Sequence, residues 1–160
     1  MSFKRRAGII AFVSLLTFAI DQVIKFIVVH SFPAGIPTPV VGNFFRITLI
    51  FNPNTAFGIS LGQNFPYTLV AGTISVLVLI MALVEKNVWN IVAYSMILGG
   101  AMGNIFDRIL RGEVVDFIDI GIGENLRWYV FNGADAFITL GIIMLLAEGI
   151  VSHLKAGRDA

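Results

Sequence analysis

The sequence predicts an α-helical integral membrane protein: four transmembrane helices, a small extracytoplasmic β element, and both termini in the cytoplasm. Three observations carry this expectation. Of 160 residues, 57% are hydrophobic and 13% charged, and the mean hydropathy is +0.87, which is too apolar and too sparsely charged for a soluble domain of this size. Four apolar stretches, at about 7–29, 67–84, 88–110 and 132–154, each supply the roughly 20 residues a helix needs to cross a hydrocarbon core of about 30 Å. Lys and Arg concentrate at the chain ends and in the turn between the second and third stretches, as the positive-inside rule requires when those segments are cytoplasmic.

The first span follows Lys4, Arg5 and Arg6, like the start of a secretory signal. It continues apolar past signal-peptide length, carries Asp21 and Lys25, and lacks a small-x-small cleavage site, so it reads as an uncleaved anchor. Residues 30–66 contain one basic residue, Arg46, and belong outside. Within them, at about 43–62, Phe45, Ile47, Leu49 and Phe51 alternate with Phe44, Arg46, Thr48 and Ile50, a period-two pattern that predicts a strand. Asn52, Pro53 and Asn54 then signal a turn ahead of Ala56, Phe57 and Ile59. A β element with apolar residues on both faces suits the outer membrane surface.

The second span offers hydroxyls such as Thr68, Thr73 and Ser75, which can bond their own helix carbonyls, and Lys86 marks the cytoplasmic turn after it. The third span ends in Asn104, Asp107 and Arg108. The connection from 111 to 131 holds Arg111 and Arg127, yet the helix count forces it outside, where Trp128 and Tyr129 suit an aromatic belt. The fourth span opens with Asn132 and Asp135 and is followed by Lys155 and Arg158. No internal repeat, low-complexity tract or second domain interrupts the chain, so 1–160 reads as one membrane-embedded domain.

Composition removes several function classes. A formal net charge of +1 and the lack of a basic, aromatic-interleaved stripe give no expectation of nucleic-acid binding. With no Cys there is no disulfide, thiolate nucleophile or thiolate-held metal. His30 and His153 sit at the ends of apolar runs and read as solvated interfacial residues, so neither a metal site nor a His-based triad is expected.

Depth sorts the polar residues. At about 1.5 Å per residue Asp21 lies roughly two-thirds of the way across, with Lys25 one turn further on the same face. Asn104, Asp107, Arg108, Asp116, Asn132 and Asp135 fall toward the same side, so three helices contribute polar groups to one layer near the outer interface. Asp21 and Lys25 read as a structural ion pair facing the bundle interior. Asn104 and Arg108 share a helix face; Arg108 reads as site-facing, with snorkelling to headgroups as the alternative. Gly99, Gly100 and Gly103 form a small-residue face for close helix packing, and Glu148, far from the layer, reads as interfacial. Asp116, Asp119 and Asp135 are harder to assign to scaffold. Two carboxylates sharing a site cannot both ionise freely, so one keeps a proton while the other serves as a base. Aspartic proteases activate water against an amide in this way. Local spacing leaves open whether Asp116 or Asp119 partners Asp135.

Asp21-Gln22-x-x-Lys25, Asn52 followed by Ala56-Phe57, Gly99-Gly100-Ala101-x-Gly103-Asn104-x-x-Asp107-Arg108, Gly112-x-Val114-Val115-Asp116-Phe117 and Phe131-Asn132-x-Ala134-Asp135-Ala136 occur in this order across nearly the whole chain. Together they resemble the lipoprotein signal peptidases, the signal peptidase II family. The resemblance implies a bacterial inner-membrane aspartic endopeptidase that removes signal peptides from diacylglyceryl-modified prolipoproteins, cutting before the lipidated cysteine. It implies Asp116 and Asp135 as catalytic dyad and Asp119 as a bystander. Asn52, Asn104, Arg108 and Asn132 would support the site or orient substrate, and Asp21 and Lys25 would hold the scaffold.

The chain departs from the family pattern at Asn54, where Gly is usual, at Thr55, where a small residue is usual, and at Gly133, where Val is more usual. Asn tolerates a left-handed backbone better than most residues, and none of these changes touches a carboxylate. No metal or organic cofactor is expected. The expected partners are the prolipoprotein and membrane lipid, on a monomeric enzyme whose site faces the extracytoplasmic side. A small ion-coupled transporter subunit is the alternative, although its site would belong near the midplane.

Overall fold

The computed structural model describes residues 1–53, 55–56, 59–60, 62 and 65–157, with the backbone alone at 55, 56, 59 and 60. Its helices follow the four apolar stretches: α1 (Phe3–Ser31), α2 (Tyr67–Val84), α3 (Val88–Arg111) and α4 (Gly133–Ala156). All four are long and apolar enough to cross a membrane. α1 begins four residues earlier than hydropathy suggests, because helical hydrogen bonding continues after the side chains turn polar; Ser2 caps it by accepting from Arg5 N at 3.4 Å. Between α2 and α3, Glu85 Oε1 accepts from the backbone N of Lys86 and Asn87 at 2.6 and 2.9 Å. Asn87 then caps α3 through Trp89 N at 3.0 Å. α3 stops at Gly112, whose φ of 76° is the left-handed conformation that glycine adopts without strain.

The bundle is inside out relative to a soluble one. On α1 the buried side chains include Ser14, Thr17, Asp21 and Lys25, while Phe12, Leu15, Val23 and Phe26 are exposed. On α2 one residue, Ala82, is buried. Such exposed apolar surface is stable against lipid, and polar groups that lipid cannot hydrate gather at the helix contacts. α3 is the hub, packing on α1, α2 and α4. The predicted glycine face makes those contacts close: a Cβ on Gly99 would strike Thr17 and Ser14 of α1, one on Gly100 would strike the Ala134 carbonyl of α4, and one on Gly103 would strike the Asp21 carboxylate.

The β structure is larger than the expected element at 43–62. β1 (Thr38–Val41), β2 (Phe45–Asn52), β5 (Val114–Ile122) and β6 (Leu126–Arg127) form an antiparallel sheet in the order β1-β2-β5-β6. β3 (Thr55–Ala56) and β4 (Ile59–Ser60) form a separate hairpin. The connection from 111 to 131, in which no strand was expected, therefore contains a central strand. Its run of Val, Ile and Phe has strand character, but its partner β2 lies more than 60 residues away, as the Asn52–Asp116 separation of 64 shows. Leu49 of β2, Val115 and Phe117 of β5 and Val28 of α1 close a small core beneath the sheet. Asn54, Phe57 and Arg158 lie outside the described residues, as do the side chains of Thr55, Ala56 and Ile59.

Candidate active site

Helix capping builds the first half of the site. Asn132 is the N-cap of α4: its Oδ1 accepts from Asp135 N at 2.9 Å, and Asp135 Oδ2 reaches back to Asn132 N at 3.4 Å, a reciprocal capping box. A cap alone would account for both residues. It does not account for Asn132 Nδ2, which turns the other way and donates to Asp116 Oδ1 at 2.7 Å and to Asn104 Oδ1 at 3.0 Å. Asn104 Nδ2 in turn donates to Asp135 Oδ1 at 2.8 Å. Two carboxylates from different elements are thus joined through two amides. Asn52, at the end of β2, donates to the other oxygen of Asp116, Oδ2, at 2.7 Å.

Strand geometry selects between the two aspartates of β5. Being three residues apart on a strand, Asp116 and Asp119 project to opposite faces. Asp116 faces the amides. Asp119 accepts from Arg127 Nε at 2.6 Å and Thr48 Oγ1 at 2.8 Å, with Arg46 Nε at 3.4 Å. A bulge in β2 between Ile47 and Ile50 shifts the register so that Arg46 lies opposite Asp119 and Ile50 opposite Asp116. Arg46, placed on the predicted strand, is buried and also bonds Glu124 at 2.8 Å.

The two environments have opposite electrostatic effects. Burial pushes the Asp116 carboxyl up to about 6; the hydrogen bond from Asn52 opposes this, and the charge of Asp135 adds to it. At Asp119 burial also pushes upward, but the hydrogen bonds from Arg127 and Thr48 and the charges of Arg127 and Arg46 outweigh it and hold the carboxyl below its ordinary value. Among the described residues, no Lys or Arg is ion-paired with Asp116 or Asp135.

Arg108 stands beside this layer, with Nη1 3.4 Å from the Asn104 carbonyl and its guanidinium 5.8 Å from the Tyr67 ring centre. It lines a groove of about 440 Å³ between the start of α2 and the end of α3, with Pro53, Phe65, Pro66, Tyr67 and Gly112. Asp21 and Lys25 form the expected ion pair at 2.8 Å, fully buried. Sequence reading left Asp107 without a role; it is fully buried and pairs with Lys25 at 2.8 Å and Arg111 at 2.7 Å. Its i, i+4 spacing from Arg111 was the available signal. Glu148, read as interfacial, ties α4 to the start of α3 through Asn87 at 3.0 Å. Among the described residues, no group of three or more His, Asp or Glu is arranged to hold a metal ion.

The site brings a strand carboxylate and a helix carboxylate together through shared amide donors, and comparison with known proteins shows the family. The family model described as signal peptidase (SPase) II matches residues 13–151. The chain belongs to the signal peptidase II family. A lipoprotein signal peptidase from Aeromonas hydrophila is 36% identical over 149 residues, covering 89% of this chain and 88% of its own length. One from Moorella thermoacetica is 35% identical over 150 residues, covering 91% and 95% respectively. A solved bacterial membrane enzyme superposes with a TM-score of 0.78 at 31% identity, over 95% of this chain and 91% of that one. As a signal peptidase II family member the chain is a multi-pass membrane peptidase, and the transporter alternative is not favoured.

Proposed function

We propose that the chain is an aspartic endopeptidase in which Asp116 and Asp135 form the catalytic dyad, and that it removes signal peptides from diacylglyceryl-modified prolipoproteins before the lipidated cysteine. The observation that carries the dyad is the amide bridge: Asn132 and Asn104 join carboxylates from a strand and a helix, and every donor to Asp116 among the described residues is neutral. A neutral setting lets burial raise a carboxyl out of the ordinary carboxylate range, and Asp116 is pushed up to about 6, where it can both take up and release a proton within about a pH unit of neutrality. The relatives' name, lipoprotein signal peptidase, supports the substrate class.

One dyad carboxylate takes a proton from water as the water oxygen bonds to the scissile carbonyl carbon, and the protonated partner donates to the carbonyl oxygen. The tetrahedral intermediate collapses as a dyad proton passes to the amide nitrogen and the C–N bond breaks. Asn104 and Asn132 hold the carboxylates in place, and Arg108 orients substrate entering along the groove beside Tyr67. No step requires a metal or cofactor.

The site faces the extracytoplasmic side of the bacterial inner membrane, with both termini cytoplasmic and the enzyme acting as a monomer against lipid. Charge placement supports this orientation. Lys4, Arg5, Arg6, Lys86 and Lys155 lie at the end opposite the sheet. At the sheet end the flanking basic residues are fewer: Arg46, Arg111 and Arg127, each paired with a carboxylate. The test is cleavage of a synthetic diacylglyceryl-cysteine peptide by the purified protein. Asp116→Asn and Asp135→Asn each abolish cleavage while remaining folded. Near-parental activity in both overturns the dyad, and equal cleavage of the unlipidated peptide overturns the substrate assignment.

A further inference from the structure

We propose that Lys25, with Asp21 and Asp107, is a positioning device that sets the distance between the two catalytic carboxylates and the polarity of the amide between them; this rests on the dyad reading above. The Lys25 side chain is fully buried, and its ammonium meets three acceptors: Asp21 Oδ2 at 2.8 Å, Asp107 Oδ2 at 2.8 Å and Asn104 Oδ1 at 3.1 Å. Three donors and three acceptors leave it saturated.

Each arm of this device ends on the backbone beside a dyad residue. Asp21 Oδ1 accepts from Ala134 N at 2.8 Å, one residue before Asp135. Asp107 Oδ2 accepts from Val115 N at 3.3 Å, one residue before Asp116. A continuous path therefore runs from the start of α4 through Asp21, Lys25 and Asp107 to β5. The third arm fixes Asn104. Its Oδ1 accepts from both Lys25 and Asn132, so its Nδ2 is the group left to face Asp135. Turning the amide over would set NH₂ against an ammonium and a carbonyl oxygen against a carboxylate.

Stability alone does not account for this cluster. It buries two carboxylates and one cation, with a partly exposed Arg111 at its edge, and apolar side chains of similar volume are commonly as stabilising as a buried ion pair or more so. Charged groups do supply direction, which packing does not. The neighbouring backbone makes room for it: a Cβ at Gly103 would strike Asp21 Oδ2, and one at Gly133 would lie 3.2 Å from Asp21 Oδ1.

The decisive variant is Asp21→Asn with Lys25→Met and Asp107→Asn. It keeps an acceptor for both backbone N–H groups, leaves no unpaired charge except half-exposed Arg111, and cuts the ionic link between the arms, leaving only the longer bridge of Gln22 Nε2 to residues 21 and 107 at 3.1 and 3.5 Å. Asp107→Asn alone is the second variant, should the triple fail to fold. In whichever folds, kcat on the lipidated peptide falls by about 10- to 100-fold, the penalty of misplacing reacting groups by an ångström. KM stays within about threefold, and both limbs of the pH–rate profile move, because the coupling between two carboxylates depends on their separation. The charged groups facing the dyad are Lys25 and Asp21 from α1 and Arg108 from α3; Arg108 is common to both variants, and the effect of the α1 charges is read by comparing the triple variant, which lacks them, with Asp107→Asn, which keeps them. Unchanged kcat and an unmoved profile in a folded variant overturn the positioning role. The dyad reading fails separately, through activity in Asp116→Asn and Asp135→Asn.

Discussion

Asp116 and Asp119 share a strand, are both buried and stand three residues apart, yet the protein surrounds them in opposite ways. Asp116 receives hydrogen bonds from Asn52 and Asn132, both neutral. Asp119 sits against Arg127, Arg46 and Thr48. The cationic shell fixes one charge state and locks the sheet corner; the amide shell holds the carboxylate in place without fixing its charge. A group that must exchange protons needs the second arrangement, and a structural group is better served by the first. The difference comes from the pleat and one bulge, since a register slip of one residue would exchange the two faces.

The largest expected effect separates the two aspartates by activity. Asp116→Asn lowers kcat/KM for the lipidated peptide by about 10³-fold or more, as loss of an acid–base group does, and Asp119→Asn lowers it by less than about tenfold. Comparable losses in both would mean that the shells do not divide function from scaffold. Stability then reverses the ranking. Asp119→Asn leaves Arg127 and Arg46 partly uncompensated and costs about 3 kcal/mol in a denaturation assay, moderated because Arg46 keeps Glu124 and Arg127 keeps the carbonyls of Asn43 and Gly123.

The pH dependence sharpens the same contrast. An unfolded Asp ionises near its ordinary 3.8, while Asp116 holds its proton to about 6 in the fold. Between these values the native state binds more protons than the unfolded one, so this contribution to stability is full below about 4 and is lost as pH rises to about 6. The loss is at most about 3 kcal/mol. Asp135 and Lys25 also act on this carboxyl, so the slope is read as the difference between the parent and Asp116→Asn. An identical slope in both would remove the raised carboxyl from the account.

How far the chain could be read in advance follows the same division. The helices were legible because lipid imposes length and apolarity on each span separately, and Asn132 with Asp135 was legible because a cap is local. Asp116 was separable from Asp119 through family resemblance alone, since the distinction depends on β2, whose Thr48 lies 71 residues from Asp119. Lys25 illustrates both cases: its i, i+4 partner Asp21 could be read directly, but Asp107 and Asn104 reach it across 79 residues or more. Pairings across such distances leave no periodicity to detect.

The smallest expected effect isolates one bond of the Asp119 shell. Thr48→Val keeps the β-branched shape that suits a strand and leaves no cavity, so it removes little besides the hydroxyl that donates to Asp119 Oδ2 at 2.8 Å. A hydrogen bond to an ionised partner contributes about 1.5 kcal/mol, and Arg127 and Arg46 continue to hold the carboxylate, so cleavage stays within about twofold of the parent. Because Asp119 is held below its ordinary value, this stabilisation is present above the unfolded carboxyl's pKa of about 3.9 and is lost as pH falls through the folded value. Denaturation of parent and variant should therefore diverge at neutral pH and converge in acid, opposite in direction to the Asp116 slope. Convergence toward neutral pH instead would show that the Thr48 hydroxyl bonds the protonated form, and the contrast between the two aspartates would lose its physical basis.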